Sequence, residues 1–266
     1  MNRGFYLLAL LVLAASYVSA DAFLVDPLVA HHAPGKLIDV GSIQPGEEME
    51  LIFSTDAGYG KEAKWLQARY ERTPYGELIQ THNSEVGTES LITRIYVSTL
   101  LPPGEYRIPI TFSGELGVLE NEKYMIRFMV ARELFSATLQ NPRVEGKLNE
   151  PLTYEMTLVN DSSASVTARI EPTLPNSWSE GKTTTIKPHS FQNISIQVIP
   201  RFAGPKNFEI HVTNTQNLER YSSLRATLTA NASLKDQYAG GLYGFPFFTI
   251  SLLANYLANA FFSIIL

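Results

Sequence analysis

The sequence predicts an all-β protein: two tandem β-sandwiches followed by a C-terminal transmembrane helix. Short segments that alternate apolar and polar residues recur between Asp21 and about Asn231, with turn residues between them. No convincing long amphipathic helix interrupts that pattern. An uncharged apolar stretch closes the chain from Phe245 to Leu266. At 266 residues the chain has room for about two domains of the commonest size.

Residues 1–20 have the pattern of a secretory signal peptide. Arg3 supplies the positive charge, and an apolar run extends from Phe5 to about Ala15. Val18 and Ala20 then occupy the positions that precede signal-peptidase cleavage. We expect cleavage after Ala20, with an uncleaved signal anchor as the alternative. In either case the middle of the chain crosses a membrane.

Residues 21–132 are predicted to form the first β-sandwich. Its candidate strands are KLIDVGSI, EMELIFST, LITRIYVS, EYRIPITF and YMIRFMVA, separated by proline-glycine turns. In EYRIPITF, Pro109 cannot donate to a hydrogen-bond ladder, which predicts an edge position or a bulge. Only the stretch from Gly60 to Thr73 could form a helix, and its aromatic residues leave that assignment ambiguous.

Residues 133–231 are predicted to form the second β-sandwich. The candidate strands are LFSATLQ, PLTYEMTLVN, SVTARIEPTLP, TTTIKP, SFQNISIQVIP, NFEIHVTN and SLRATLTAN. About seven strands in roughly 100 residues are typical of an immunoglobulin-like sandwich, with a barrel or jelly roll as the alternative. Within SFQNISIQVIP the predicted inward positions are Phe191, Ile194, Ile196 and Val198.

Three short motifs in this second half carry a family resemblance. They are Leu174-Pro175 followed by Trp178, the turn Lys187-Pro188-His189, and the turn Ala203-Gly204. Their order resembles the NPCBM-associated and CARDB domains, which are immunoglobulin-like domains of bacterial and archaeal envelope proteins. The resemblance extends over about Leu134 to Ala230. It implies a fold without fixing a function, because such domains serve many functions.

The first half repeats two of the turns of the second half. IQPGEEMELIF and LPPGEYRIPITF each place a proline-glycine turn directly before a strand. We therefore interpret the two halves as a diverged tandem repeat.

The predicted membrane anchor follows a juxtamembrane linker at 232–244. Residues 245–266 are long enough to cross roughly 30 Å of hydrocarbon as a helix. Because Asn255 and Asn259 share one helix face, and Ala254 and Ala258 an adjoining one, these four residues are candidates for contact with a partner helix. The alternatives are a lone span that tolerates two amides, or a lipid-anchor signal in a eukaryote, with its attachment site near Asn231.

Charge and cysteine content exclude several classes of function. The net charge is −5 with no block of like charges, which argues against nucleic-acid binding and against a basic membrane patch. The chain has no cysteine, so disulfides and cysteine-ligated metals are excluded. We consider this composition easier to reconcile with a prokaryotic or archaeal envelope protein than with a disulfide-bonded animal ectodomain.

The sequence contains no recognisable catalytic or metal-binding motif. Gly-x-Ser-x-Gly, His-Glu-x-x-His and the phosphate-binding glycine-rich loop are all missing. His31 and His32 are adjacent, so on a strand they would point to opposite faces. We predict solvated histidines, no metal, no cofactor and no enzymatic activity, with an unrecognised hydrolase as a remote alternative.

Two groups of residues are candidate sites. Four aromatic residues, Tyr59, Trp65, Tyr70 and Tyr75, could stack on a sugar or anchor a partner, with core packing as the more frequent role of such residues. Asn160, Asn193 and Asn231 each begin an Asn-x-Ser glycosylation sequon. We place Asn160 and Asn231 at strand ends, where a glycan fits, and Asn193 in a strand, where it would have to point outward.

These observations together predict a membrane-anchored, extracytoplasmic, non-catalytic protein of the cell envelope, with a structural or protein-interaction role such as adhesion. It would lie at the cell surface, or in the ER lumen if the organism is eukaryotic. Its expected partners are membrane lipid, other membrane proteins or surface glycans, and not nucleic acid. The alternative is a carbohydrate-associated module or an accessory subunit of a larger membrane complex.

Overall fold

The computed structural model describes residues 20–33, 35–58, 63–85, 89–114, 121–216 and 220–232. Within these ranges the regular structure is β-strand, apart from a short 3-10 helix at Gly76–Leu78. The all-β prediction is therefore confirmed. None of the helical structure in these ranges has the length and apolarity needed to cross a bilayer. The predicted signal sequence up to residue 19, the linker from residue 233 and the span at 245–266 lie outside the described residues.

The first sandwich consists of two facing sheets. The five-stranded sheet has the order β2-β1-β4-β7-β6, and the four-stranded sheet has the order β3-β9-β8-β5, in which β3 runs parallel to β9. The strands are β1 Ala22–Asp26, β2 Ala30–His32, β3 Leu37–Ile43, β4 Glu48–Ser54, β5 Trp65–Tyr70, β6 Ile79–His82, β7 Ser90–Val97, β8 Gly104–Gly114 and β9 Glu122–Val130.

The second sandwich has a three-stranded and a five-stranded sheet. Their orders are β10-β12-β15 and β11-β17-β16-β13-β14, and β11 runs parallel to β17. The strands are β10 Phe135–Leu139, β11 Arg143–Lys147, β12 Leu152–Asn160, β13 Val166–Pro172, β14 Lys182–Ile186, β15 Ser190–Val198, β16 Gly204–Asn214 and β17 Arg220–Asn231.

Each sandwich encloses its own apolar core, because alternate residues of every long strand face inward. In β8 the buried positions are Tyr106, Ile108, Ile110 and Phe112, as the alternation predicts. In β12 they are Leu152, Tyr154, Met156 and Leu158. The buried apolar residues form two clusters, one in each sandwich.

The two sandwiches share most of their strand order. β4 lies beside β7 in the first sandwich, as β12 lies beside β15 in the second. The N-terminal part of each sandwich also contributes to both of its sheets, through β1 and β3 in the first and through β10 and β11 in the second. The order β1-β4-β7-β6 against β9-β8-β5 is that of an immunoglobulin-like sandwich. The halves differ at one edge: β6 flanks β7 in the first sandwich, whereas the second sandwich places β14 on the opposite sheet, beside β13.

The structure settles one open assignment and corrects one expectation. The ambiguous stretch from Gly60 to Thr73 contains strand β5, and its alternating pattern buries Trp65, Ala68 and Tyr70. Pro109 lies neither at an edge nor at a bulge, because β8 has neighbours on both sides and pairs with β9 through Pro109 without a register shift. The N–H that proline lacks would point toward β5, because the Pro109 carbonyl on the same side accepts from the Glu71 N–H at 3.1 Å. Glu71 is the residue directly after the end of β5. The proline therefore forgoes only the reciprocal bond to Glu71, one residue beyond the end of β5.

The predicted inward set of β15 was wrong at its first member. Ile194, Ile196 and Val198 are buried, but the Phe191 side chain is 70% exposed. Phe191 is an odd number of residues from Ile194, so the period of two along a strand turns it to the opposite face.

Candidate functional site

The aromatic residues predicted to bind sugar or a partner are mostly core residues. Trp65 is fully buried, and its indole N–H donates to the Asp21 carbonyl at 3.0 Å. Tyr70 is also buried, and its hydroxyl pairs with the Thr93 hydroxyl at 2.9 Å. Burial raises the pKa of this phenol well above its usual range. Tyr75 packs edge-on against Tyr106 at 5.1 Å between ring centroids, and Tyr59 lies outside the described residues.

The sequons fall into two kinds of environment. Asn160 lies at the end of β12, as predicted, but it is fully buried, so the folded protein leaves no room for a glycan there. Asn193 is exposed on the outer face of its sheet, which meets the outward direction that a glycan needs. Asn231 is exposed at the end of β17. The candidate helix-contact residues Ala254, Asn255, Ala258 and Asn259 lie outside the described residues.

The described histidines do not converge on a site. His31 and His32 lie on the short strand β2, and His31 contacts the Phe23 ring at 4.1 Å between centroids. The pKa of His32 is lowered, mainly because partial burial disfavours the charged imidazolium and secondarily because His31 and Lys36 repel its positive charge. Among the described residues no group of three histidine, aspartate or glutamate side chains is arranged to hold a metal ion.

The structure instead brings polar residues together where the two sandwiches meet. Glu47, in the turn between β3 and β4, is fully buried. Its carboxylate accepts from the backbone N–H and the side-chain amide of Gln44, at 3.1 and 3.0 Å. It also accepts from the hydroxyl of Ser162, in the second sandwich, at 2.9 Å. A buried carboxylate is tolerated only when such donors replace water, so this contact fixes the two turns against each other.

Further hydrogen bonds surround this carboxylate. The Gln44 side-chain oxygen accepts from the Leu134 N–H at 2.7 Å, at the point where the chain enters the second sandwich. The Ser163 N–H donates to the Ser42 carbonyl at 2.6 Å, and the Ser163 hydroxyl accepts from the Ser42 N–H at 3.2 Å. The two sandwiches therefore share backbone as well as side-chain hydrogen bonds.

Asn160 holds the turn that presents these serines. Its amide nitrogen donates to the carbonyls of Ala164 and Lys187, at 2.8 and 3.0 Å, and its side-chain oxygen accepts from the Ser162 N–H at 3.0 Å. Ala164, at the tip of this turn, packs into the apolar core of the first sandwich. The residue that sequence reasoning assigned to a glycan thus organises the junction.

We call this set of residues the junction: Ser42, Gln44, Glu47, Leu134, Asn160, Ser162, Ser163 and Ala164. The turn at residues 44–47 was predicted from the sequence, but its contact with the second sandwich was not. The available signal was the run of short polar residues at 160–163, which combine hydrogen-bonding capacity with little bulk.

Comparison with known proteins identifies no family for this chain. No protein-family model matches it, and no curated protein matches it in sequence. Among solved structures it is similar to fibronectin(III)-like modules of CbhA from Clostridium thermocellum, at 7% identity and a TM-score of 0.28, over 79% of this chain and 94% of that one. It is also similar to chimeric titin Z1Z2, at 6% identity and a TM-score of 0.40, over 82% and 100% of the two chains.

A third similar structure is a protein of unknown function from Porphyromonas gingivalis, at 14% identity and a TM-score of 0.27, over 70% of this chain and 93% of that one. The fold assignment for this chain rests on its own strand order, and these similarities assign it no activity or partner.

Proposed function

We propose that the protein is a non-catalytic, membrane-anchored interaction module of the cell envelope, in which the two sandwiches act as one rigid unit on the extracytoplasmic face. The junction is the observation that carries this proposal. A flexible tether needs no buried carboxylate between its domains, whereas a unit that must present its surfaces in a fixed relation benefits from one. The signal-like start and the apolar end of the sequence support export and anchoring.

The alternative of a carbohydrate-binding module is less well supported. Two of the four candidate aromatic residues, Trp65 and Tyr70, are buried, so their ring faces cannot stack on a sugar. The resemblance to NPCBM-associated and CARDB domains is compatible with either role, and we retain it as a proposal about ancestry alone.

The proposal can be tested by labelling from outside the cell. Because the chain has no cysteine, Lys206→Cys introduces a single thiol on an exposed position of β16. In intact cells that express the full chain we expect a membrane-impermeant maleimide to label this thiol, and the labelled protein to sediment with membranes after alkaline extraction. Val198→Cys, at a buried position, is the matched control and should be labelled only after denaturation. Labelling of Lys206→Cys only after cell lysis would overturn the proposal.

A further inference from the structure

The two sandwiches have corresponding ends, and only that of the first is covered by the junction. In the first sandwich the turn before β4 lies against the end of β7, because the Gly46 N–H donates to the Val97 carbonyl at 2.7 Å. In the second the turn before β12 lies against the segment that follows β15, through the Asn149 N–H and the Pro200 carbonyl at 2.9 Å. The second sandwich covers this end of the first. We call the corresponding end of the second sandwich the distal end, and define it by the loops at 147–150, 175–181 and 199–203.

The chain leaves the second sandwich at the distal end. β17, the last described strand, ends at Asn231. One residue earlier, Ala230 pairs with Gly204, the first residue of β16. The loop at 199–203 therefore ends directly beside the last residues of β17, at the point where the chain continues into the predicted linker at 232–244.

An aromatic side chain projects from the distal end. Phe202, in the loop at 199–203, is 74% exposed. Its ring lies against that of Trp178, with 5.9 Å between the centroids, and Trp178 itself belongs to the apolar core of the second sandwich. The Ile199 N–H donates to the Trp178 carbonyl at 2.7 Å, which holds the start of the loop in place. Phe202 is thus directed outward from a base that the core supports.

The charges of the distal end are balanced. Its three loops carry two basic residues, Lys147 and Arg201, and two acidic residues, Glu150 and Glu180, whereas the whole chain has a net charge of −5. The Lys147 ammonium lies 3.4 Å from the Glu150 carboxylate, and the Arg201 guanidinium donates to the Asn149 side-chain oxygen at 3.2 Å. An outward aromatic ring without an excess of acidic residues suits the headgroup region of a bilayer, because lipid phosphates repel carboxylates.

The predicted span lies a short distance along the chain from this end. Residues 232–244 form a connection of 13 residues, which reaches at most about 45 Å when fully extended. A flexible chain of that length has its ends about 20 Å apart on average. With residues 245–266 in a bilayer, this tether favours the distal end as the part of the two sandwiches that meets the lipid surface.

We propose that the distal end is a membrane-contact surface, where Phe202 inserts into the interface of the same phospholipid bilayer that holds residues 245–266. Exposure alone does not carry this proposal, because single exposed apolar residues are common. Phe191 is 70% exposed, and it lies at the opposite end of the second sandwich, near the start of β15. Phe202 differs in lying beside the point where the chain leaves for its anchor. The inference rests on the proposed anchoring and adds to it an orientation of the two sandwiches on the membrane.

Fluorescence quenching in reconstituted membranes tests the contact. Because the chain has no cysteine, Ala203→Cys places a single thiol beside Phe202 for a nitrobenzoxadiazole label. The labelled full-length protein is reconstituted into phosphatidylcholine nanodiscs that hold one copy each. We expect lipid with a nitroxide on its headgroup to lower the emission at least about twofold, since the label would lie among the headgroups. Lys187→Cys, an exposed position in the turn at the opposite end, is the matched control and should keep its emission within about a tenth.

Substitution of the phenylalanine separates insertion from proximity to the anchor. Phe202→Ser should restore most of the emission of the label at Ala203→Cys, because serine has no ring to insert. Phe191→Ser, which removes a similarly exposed ring at the other end, should leave the quenching unchanged.

Copurification with the nanodiscs reports the anchoring separately. Failure of the protein to enter them would overturn the proposed anchoring and this inference with it. Entry with an unquenched label at Ala203→Cys, or quenching that Phe202→Ser leaves unchanged, would overturn this inference alone. Blue-shifted emission that the nitroxide lipid does not quench would mean that protein, and not lipid, covers the distal end, and would overturn the inference as well.

Discussion

Glu47 is the residue on which the relation between the two sandwiches depends most directly. Glu47→Ala removes an acceptor that serves Gln44 and Ser162 and leaves their buried donors without a partner. Since a hydrogen bond to a charged group contributes about 1.5–3 kcal/mol, we expect the free energy of unfolding to fall by roughly 3 kcal/mol. Urea denaturation of the full chain measures this change.

The neighbouring residue provides the matched control. Glu48 begins β4, and its partly exposed carboxylate lies 3.8 Å from Arg94. Exposed ion pairs contribute little, so Glu48→Ala should change the free energy of unfolding by about 0.5 kcal/mol or less. Equal losses for the two variants would show that the buried carboxylate does not stabilise the junction.

The burial and role of individual residues were harder to predict from the sequence than the strands were. The sequence favoured core packing for the aromatic residues Trp65 and Tyr70 but left a binding role open, because alternation reveals a shared face but not which face is covered. Asn160 looked exposed because strand ends usually are. Its side chain instead turns inward, where it donates to the carbonyls of Ala164, Ile186 and Lys187.

Strand β8 contains a proline at an interior position, where a missing N–H ordinarily costs a ladder hydrogen bond. Pro109 and Thr111 both direct their backbone toward β5, but β5 reaches only as far as Tyr70. Thr111 lies opposite Arg69 within the ladder, whereas Pro109 lies opposite Glu71, one residue beyond the end of β5. We therefore expect Thr111→Pro to destabilise the protein by about 3 kcal/mol or more. Thermal unfolding followed by circular dichroism measures the loss.

Two controls separate the backbone effect from the side chain. Thr111→Val keeps the N–H and loses only the hydroxyl contact to the Glu71 carboxylate at 3.2 Å. Pro109→Val restores an N–H opposite Glu71, beyond the end of β5. Both should unfold within about 1 kcal/mol of the wild type. A Thr111→Pro variant as stable as these two would contradict the assigned direction of the ladder.

At the scale of elements, most strands followed from alternation, while the shortest did not. β2 and β6 have three and four residues, too few for a period of two to stand out from the loops around them. The sequence also did not assign β14 and β6 to different sheets. β14 pairs with the preceding strand β13, whereas β6 crosses from β5 to the opposite sheet. That choice of sheet is what makes β15 an edge strand of its sheet.

At the scale of the whole molecule, Gly41 tests whether the junction fixes the relation of the two sandwiches. Its backbone has φ = +87°, and a Cβ at this position would lie 2.3 Å from the Ser163 hydroxyl oxygen. We expect Gly41→Ala to force the junction apart. With nitroxide labels at Gln80→Cys and Lys206→Cys in this cysteine-free chain, double electron–electron resonance should give one narrow distance distribution for the wild type and a shifted or broader one for Gly41→Ala.

Gly35→Ala separates this steric effect from backbone strain. Gly35 also has a positive φ, +70°, but no atom lies within 4 Å of the Cβ it would gain. Both alanines should cost about 1–2 kcal/mol for the left-handed backbone, since a Cβ crowds the following carbonyl there. Only Gly41→Ala should alter the distance distribution, and adding Ser163→Ala, which removes the clashing oxygen, should return it toward that of Ser163→Ala alone. Identical narrow distributions for the two glycine variants would mean that the junction accommodates the added Cβ. A broad distribution already in the wild type would mean that the sandwiches move independently, and the rigid unit in the proposed function would have to be abandoned.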